Sequence, residues 1–407
     1  MFARARVCVR LSLCVGCLAA GAAAQQLTER QALELLRESP YYRQLQARVR
    51  VTRAETRLGT LYPNPSANAS FEGAGRTDFY LIEQPLAWNG RLGLLRQAGA
   101  SAVAAAEAEA DHELRQLEAR LRGAFFRLFH AQERERTIGS SIEELQQLVR
   151  ILREREKEGE GSKFDRLRAE REGVERETEA SDTEALIAEY RAELARFLGE
   201  RLHPAGLTVQ GTLAPQYPLP DLGDTLASAL EARSDYRVEK ERLERLRLEA
   251  EAADRLRIPN PVVSGGLKRA EIGNRTASGP VLSVSIDLPL FNKGQVEKQL
   301  AEAESARTRA RRQVLKNQIL AEVRAAHDSL RLRREIAETY QEQSQGRAEE
   351  LREMAEVGYQ EGELGILELL DSYRVAQQAS LRLLELQAAA KLAEVEFDRA
   401  IGKEVLP

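Results

Sequence analysis

Residues 91–158 lie between Gly90 and Gly159 and contain no proline. We predict that these 68 residues form one uninterrupted helix. At a rise of about 1.5 Å per residue the helix would be about 100 Å long, whereas helices in globular proteins average about 11 to 12 residues. A domain of ordinary size cannot enclose such a helix. Its length therefore indicates a partner helix or a compartment that the protein crosses.

Residues 1–24 have the features of a secretory signal peptide. Three arginines precede a short apolar run, and alanines at 22–24 provide an A-x-A cleavage site. The apolar run is about half of the ~20 residues that a membrane-spanning helix needs. All three cysteines lie in this segment, so the mature chain would have no disulfide. A lipoprotein acylated at Cys17 is the alternative.

The composition argues against several classes of protein. Charged residues make up 30% of the chain and aromatic residues 5%, with a net charge of only −4. Dense charge of mixed sign is typical of long solvated helices, and no sustained basic stretch indicates nucleic-acid binding. The four histidines are far apart in sequence. The sequence contains no metalloprotease motif, no hydrolase motif and no phosphate-binding loop motif. We therefore predict a protein that is not an enzyme and that has no cofactor and no metal site.

The chain contains two similar halves. The Pro-Asn-Pro segment at 63–65 recurs at 259–261, and the Pro-Leu pair before Gly90 recurs before Gly294. The offset grows from 196 to 204 between these two marks, so the second copy has eight additional residues, which we place in a hairpin loop. Two repeats with nearly equal long helices indicate an internal duplication.

The predicted boundaries follow from this duplication. The first repeat, 25–221, comprises a helix 28–60, a β-hairpin 63–87, the long helix 91–158, a return helix 162–200 and a proline-rich belt linker 201–221. The second repeat, 222–407, comprises a helix 222–257, a β-hairpin 259–290, a long helix 295–358 and a return helix 365–401. Two shorter helices together match one long helix in length. We expect helix 162–200 to stack with helix 222–257, and helix 365–401 with helix 28–60.

The predicted strands have one apolar and one polar face. From Leu282 to Leu288 the even positions are apolar and the odd positions are polar. A half-buried edge hairpin of a soluble domain would show the same pattern. Two such hairpins in an exported chain favour an outer-membrane β-barrel, and because a barrel needs about eight strands, several chains must contribute to it.

The order of these features resembles the TolC-like outer-membrane factor family. The matching residues are the duplicated Pro-Asn-Pro segments, the strand ends at 84–86 and 288–290, and the stretch 358–371. The resemblance implies a mainly α fold with a small β-barrel part: a homotrimer with a twelve-stranded outer-membrane barrel in lipid and a twelve-helix periplasmic tunnel. Such a duct lies in the outer membrane of a Gram-negative bacterium, with a large periplasmic part. It receives substrates from a periplasmic adaptor and an inner-membrane pump, which we expect to be of the resistance-nodulation-division type.

The resemblance also implies a site at the periplasmic end. Tyr359, Glu368 and Asp371 align with the family's pore gate, although a helix cap with surface charge would use the same carboxylates. The family often has a basic residue where this chain has Leu364. The residues expected to dock the adaptor are Gly159, Gly161, Ser162, Asp165, Gly362 and Gly365.

Two questions stay open at this point. A periplasmic coiled-coil adaptor or scaffold without a pore is the alternative function. The layout of the repeats is similar to the heavy-metal efflux branch of the family, but the sequence does not identify the transported substrate.

Overall fold

The computed structural model describes residues 26–73, 76–199, 204–215 and 218–403. The predicted signal peptide, Cys17, His203 and part of the predicted belt linker lie outside these residues. The first half contains β1 (Gln26–Thr28), α1 (Glu29–Glu38), α2 (Pro40–Leu58), β2 (Ser66–Glu72), β3 (Thr77–Pro85), α3 (Arg91–Glu158), α4 (Lys163–Leu198) and β4 (Thr208–Gln210). The second half contains α5 (Leu222–Ala232), α6 (Ser234–Asp254), β5 (Pro261–Ile272), β6 (Arg275–Ile286), α7 (Gln295–Tyr340), α8 (Gly346–Glu361) and α9 (Ile366–Ile401).

Helix α3 runs without a break for 68 residues. It begins after Gly90 and ends at Gly159, whose φ angles of 75° and 81° lie in the left-handed region that glycine adopts most readily. A glycine in the same left-handed conformation precedes α7, because Gly294 has a φ of 81°. At about 1.5 Å per residue, α3 is about 100 Å long.

Three segments that we predicted as single helices are interrupted. The predicted helix 28–60 divides at Ser39, because Pro40 has no N–H to continue the first helix and instead begins α2. The predicted helix 222–257 divides at Arg233, whose backbone is extended. The predicted helix 295–358 contains one π-helical turn, Gln341–Gln345, and continues to Glu361.

The helices form a wall with α3 near its centre. Along α3, one flank contacts α2 and then α4, and the other flank contacts α6 and then α9. Helices α7 and α8 lie beyond α6 and α9. The edges of the wall are therefore α2 with α4 on one side and α7 with α8 on the other.

The predicted stacking of the shorter helices is wrong. The start of α2 meets the end of α4, where the rings of Tyr41 and Phe197 are 6.3 Å apart. Likewise α5 meets the end of α9, where Arg233 Nη1 donates to the carbonyl of Ala400 at 3.0 Å. Each repeat thus stacks its own two short helices. The belt linker explains why the observed stacking differs from the predicted one. It crosses α3 from the side of α2 and α4 to the side of α6 and α9, and helix lengths do not reveal this path.

The belt is fixed to α3 by an amide side chain. Strands β1 and β4 form a short parallel ribbon, and Leu27 pairs with Val209. The buried side chain of Gln132, on α3, accepts from the N–H of Val209 at 3.0 Å and donates to its carbonyl at 3.5 Å. Gln132 thus makes with Val209 the pair of bonds that a neighbouring strand would make.

Buried charges cross the wall at the level of the belt. Arg122 on α3 forms ion pairs with Glu29 and, at 2.8 Å, with Asp398 on α9. One turn away on α9, Glu394 binds Lys391 and, at 2.7 Å, Arg334 on α7. Buried ion pairs of this kind demand good geometry, so they favour one vertical position of α3, α7 and α9 relative to each other.

The four remaining strands of the described residues form an antiparallel sheet in the order β2-β3-β5-β6. Strands β5 and β6 have 12 residues each, against 7 and 9 in β2 and β3. The eight additional residues of the second hairpin therefore lengthen its strands, and placing them in a loop was wrong. The connection is only a tight turn at Gly273, whose φ is 61°.

The register separates apolar and polar residues onto opposite faces of this sheet. Ile82 and Leu282 lie in one row, and Glu83, Ser264 and Ser283 lie in the next. Paired residues of an antiparallel ladder share a face, so these rows lie on opposite sides. On the apolar face, Leu282 is 78% exposed. A soluble protein rarely leaves such a face uncovered.

In the described ranges, no helix combines the length and the apolar character needed to cross a membrane.

We expect Glu394→Gln to lower the free energy of unfolding by about 3 kcal/mol, because two buried cations lose the carboxylate that they share. The measurement is chemical denaturation of the detergent-solubilised protein followed by circular dichroism. The control is Glu154→Gln in the exposed pair with Lys157, where the expected change is below about 0.5 kcal/mol. Equal effects of the two substitutions would contradict a stabilising role for the buried charges.

Candidate gate at the helical tips

The first tip is the turn between α3 and α4. After Gly159, the N–H groups of Glu160 and Gly161 donate to the carbonyl of Arg155 at 2.9 and 3.0 Å. A Cβ atom at Gly161 would lie 2.9 Å from the backbone nitrogen of Glu156, so the turn can close only with glycine there. Ser162 then caps α4 by accepting from the N–H of Phe164 at 3.1 Å.

The second tip, between α8 and α9, is built in the same way. Gly362 has a φ of 77°, and the N–H of Glu363 donates to the carbonyl of Gly358 at 2.8 Å. Gly365 is the N-cap of α9. A Cβ atom there would lie 2.9 Å from a carboxylate oxygen of Glu368, so glycine leaves room for that side chain.

A separate hydrophobic cluster joins the two tips. It draws on α3, α4, α8 and α9, and its buried members are Leu145, Leu148, Leu152, Ala169, Ala355, Ile366, Leu369 and Leu370. Tyr359 is half-buried against this cluster. The guanidinium of Arg155 lies 5.5 Å from the centre of the Tyr359 ring, at a distance typical of a cation–π contact. The predicted gate tyrosine therefore links the second tip to the last turn of α3.

The two predicted gate carboxylates lie in different electrostatic surroundings. Glu368 and Asp371 are both exposed near the start of α9. Asp371 forms an ion pair with Arg374 one turn further along the helix. Among the described residues, Glu368 has no ion pair. Of the two predicted gate carboxylates, Glu368 is therefore the one whose negative charge is not offset by an ion pair.

A charged network above the second tip was not predicted from the sequence. Arg352 forms ion pairs with Glu349 and Glu356 on α8 and lies 5.9 Å from the centre of the Tyr373 ring on α9. Burial raises the pKa of the Tyr373 hydroxyl, and a hydrogen bond with Glu356 raises it further. The spacing of Glu349, Arg352 and Glu356 suits pairing on one helix, but the sequence does not show that Tyr373 faces them.

Both tips also expose apolar side chains. Phe164 on α4 is 63% exposed and Leu367 on α9 is 46% exposed. These residues occupy matching positions in the two repeats, at the offset of 203 that also relates Gly159 to Gly362. They lie beside the residues predicted to dock the adaptor, Gly159, Gly161, Ser162, Asp165, Gly362 and Gly365.

The histidines of the described chain do not converge. His112 lies 3.9 Å from Asp235, and His327 makes a 3.1 Å hydrogen bond with the carbonyl of Pro220. Burial, and then the charge of Arg134, lowers the pKa of His130. In the part of the chain that the structure describes, no group of histidine, cysteine or acidic residues could hold a metal ion.

Comparison with solved structures identifies the fold. The outer-membrane channel OprN superposes with a TM-score of 0.70 at 21% identity, covering 93% of this chain and 91% of OprN. CusC, a transmembrane channel, superposes with a TM-score of 0.72 at 18% identity, covering 92% of both chains. This chain has the fold of the TolC-like outer-membrane channels.

A sequence relative agrees with this fold. The cobalt-zinc-cadmium resistance protein CzcC of Cupriavidus metallidurans is 27% identical over 292 residues, which are 69% of this chain and 66% of CzcC. The match thus spans just under two thirds of that protein. No protein-family model matches the chain. The predicted family resemblance is confirmed, and the prediction that the chain is not an enzyme agrees with these relatives, which are channels and a resistance protein.

If this fold forms a channel, the surroundings of the two carboxylates predict unequal contributions to cation binding. We expect Glu368→Ala to weaken block by a trivalent cation about tenfold, and Asp371→Ala to weaken it less than about threefold because Arg374 already offsets that charge. The measurement is single-channel current in planar bilayers. Glu363→Ala, which removes another exposed carboxylate of the same tip, is the control. Unchanged block in Glu368→Ala would exclude this residue from the gate.

The contact between Arg155 and Tyr359 can be tested in the same recordings. We expect Arg155→Gln and Tyr359→Leu to increase the open time, because each loses a cation–π contact of about 0.5 to 1 kcal/mol per subunit. Tyr359→Phe keeps the ring and should resemble the unmodified protein. Arg153→Gln, which affects the pair with Glu170, is the matched control. If Arg155→Gln and Arg153→Gln behave alike, the contact does not hold the tips together.

Proposed function

We propose that this protein is the outer-membrane exit duct of a tripartite efflux system, gated at the periplasmic tips. The observation that carries the proposal is the combination of a four-stranded sheet that has an uncovered apolar face with a helical wall about 100 Å long. The sheet suits the outer membrane, and the helices would reach from it deep into the periplasm. Substrates would pass through the enclosed space without entering the periplasm.

The duct would be a homotrimer. Strand β2 lies at one edge of the sheet and β6 at the other, and the helices that adjoin them, α2 and α7, lie at opposite edges of the wall. Joining one edge of a chain to the other edge of the next gives a heterologous interface, which can close into a ring. Three chains would supply twelve strands, above the minimum of about eight for a membrane barrel.

The tips are the proposed docking surface for a periplasmic adaptor. They combine tight glycine turns at Gly159 and Gly362 with the exposed side chains of Phe164 and Leu367. Small residues allow another helix to approach closely, and exposed apolar side chains supply contact area. Through the adaptor, the duct would receive substrate from an inner-membrane pump of the resistance-nodulation-division type.

Divalent metal ions are the proposed substrates. CzcC is named for resistance to cobalt, zinc and cadmium, and it is the sequence relative described above. The described residues contain no cluster able to hold a metal ion. We therefore assign the choice of metal to the pump, while the carboxylate of Glu368 would favour the passage of cations over anions in general.

The proposal predicts both a location and a phenotype. The protein should fractionate with the outer membrane as a trimer, and deletion of its gene should lower the tolerated concentrations of cobalt, zinc and cadmium several-fold. The measurements are membrane fractionation with native electrophoresis and growth at increasing metal concentrations. The control is growth in the presence of hydrophobic drugs, which should not change. A soluble periplasmic monomer would refute the duct and favour an adaptor or scaffold.

A further inference from the structure

The long helices of the two repeats differ at one place. Helix α3 runs unbroken, whereas the matching helix of the second repeat contains the π turn Gln341–Gln345 between α7 and α8. No side chain of this turn is buried. At the offset of 203, Gln341 corresponds to Ile138 on α3, which is fully buried. The second repeat therefore has an unanchored break where the first repeat is fixed.

Space for movement lies beside the π turn. A groove of about 790 Å³ is lined by Ser344 of the turn, by Leu351 on α8, and by Val375 and Gln378 on α9. Gly346, the first residue of α8, has a helical φ of −59°, and a Cβ atom added there would meet nothing within 4 Å. Glycine departs from helical geometry more readily than other residues, and π turns within α-helices are frequent at functional sites. We name the π turn together with Gly346 the hinge.

Helix α8 is attached to its neighbours by small residues. Its buried residues are Ala348, Ala355 and Gly358. The first turns of α9 instead bury larger side chains, among them Ile366 and Leu369, in the cluster that joins the two tips. Burial of a leucine or isoleucine side chain removes several times more apolar surface from water than burial of an alanine methyl group. The start of α9 is therefore held on the cluster more firmly than α8 is.

The ion pairs of the two repeats show the same asymmetry. Between α3 and α4, Arg153 binds Glu170 at 2.9 Å and Glu156 binds Arg166 at 2.5 Å. Within the part of the chain that the structure describes, no ion pair joins α8 to α9. The helices of the first tip are thus tied together by charge, whereas those of the second tip are not.

Polar contact between α8 and α9 is concentrated at Tyr373. The guanidinium of Arg352 lies 5.9 Å from the centre of the Tyr373 ring, and the hydroxyl of Tyr373 donates to the carboxylate of Glu356. We name these three residues the Tyr373 cluster. It lies between the hinge and the tip, so it holds α8 against α9 at the middle of α8.

We propose that α8 is the moving element of the gate, and that it turns about the hinge while the first turns of α9 stay packed on α3 and α4. Tyr359 lies 13 residues beyond Gly346 in the sequence, which is about 20 Å along the helix axis. A rotation of about 10° would displace Tyr359 by about 3 to 4 Å and separate its ring from Arg155. This inference rests on the proposed function, since it assumes that the tips are the gate of a duct.

The position of α8 in the wall suits this role. Helix α8 lies at one edge of the wall, so in the proposed trimer it would lie beside the next chain. Leu351, Met354 and Val357 on α8 are each more than half exposed. Apolar contact is not directional, so α8 would shift against a neighbour without losing an ion pair. Rotation of α8 would then widen the pore at the joints between chains.

Amide hydrogen exchange of the full-length trimer in phospholipid vesicles tests whether α8 moves alone. We expect the amides of residues 346–361 to exchange about tenfold faster than those of residues 143–158, because local opening is easiest where few side chains are buried. Residues 143–158 are the matched control, since they occupy the same positions on α3 at the offset of 203. Residues 366–381, at the start of α9, should exchange as slowly as this control.

Stiffening the hinge should keep the gate closed. Gly346→Ala adds one methyl group in open space and favours a regular helix about fivefold, so we expect the open probability in planar bilayers to fall about fivefold. Exchange of residues 346–361 should slow in the same variant. The matched control is Gly139→Ala on α3, where an added Cβ atom also meets nothing within 4 Å. It should change the open probability less than about twofold, because α3 has no π turn there.

Loss of the Tyr373 cluster should have the opposite effect. Tyr373→Leu removes both the ring and the hydroxyl, and we expect it to lengthen the open time about threefold. Tyr373→Phe keeps the ring contact with Arg352 and should have a smaller effect. The control is Phe164→Leu, which removes a ring 6.0 Å from Arg168, because both of these residues lie on α4.

The outcomes separate the hinge from the proposed function. A conducting trimer in which residues 346–361 and 143–158 exchange alike, or in which Gly346→Ala and Gly139→Ala have equal effects, would overturn the hinge and leave the duct standing. Equally fast exchange of residues 346–361 and 366–381 would also overturn it, because α8 and α9 would then move as one unit. A purified trimer that does not conduct in planar bilayers would refute the duct itself and the moving gate with it.

Discussion

The outer edges of β2 and β6 carry backbone N–H and C=O groups that no strand of the four-stranded sheet satisfies. In water these groups would bond to solvent, but a hydrocarbon layer offers no partner, and each unsatisfied group there costs several kcal/mol. A chain with this sheet can enter a membrane only if another chain supplies the missing strands. The edges of the helical wall lie on the same two sides, so one set of contacts would complete both layers at once. In a membrane, the need to satisfy edge hydrogen bonds would thus determine the proposed assembly, and that assembly would create the enclosed space that a duct requires.

The wall has little apolar thickness to hold its helices in position. The described residues combine three separate hydrophobic clusters with buried charges at the level of the belt. Apolar stripes on long helices can slide by one turn at small cost, whereas the ion pairs of Arg122 with Asp398 and of Arg334 with Glu394 cannot. Helices α3, α7 and α9 are thereby held in one register. This register also sets where Arg155 meets Tyr359 at the far end of α3, tens of ångströms away.

Much of the architecture could be predicted from the sequence, because its strongest signals are local. Gly90 and Gly159 mark the ends of α3, and the two Pro-Asn-Pro segments mark where helices give way to strands. The errors concern relations between distant parts of the chain. The stacking of α2 on α4 depends on the path of the belt across α3, and the strand character of residues 268–279 depends on pairing with other strands. At the gate, the sequence places Glu368 and Asp371 on one helix face, but the different electrostatic surroundings of the two carboxylates depend on where the side chain of Arg374 lies. The contact of Arg155 with Tyr359 joins residues about 200 positions apart, and no local sequence pattern indicates it.

The amide of Gln132 has a further consequence for how chains meet. A short ribbon such as β1 with β4 offers an edge to which a strand from another molecule could add. Gln132 already makes both hydrogen bonds at Val209, so a single side chain acts as a third strand one residue long. The outer edge of β4 is thereby occupied at Val209, whereas the outer edges of β2 and β6 have no strand partner within the four-stranded sheet. In the proposed trimer, the edges of β2 and β6 would therefore accept a strand from another chain, while the edge of β4 at Val209 would not.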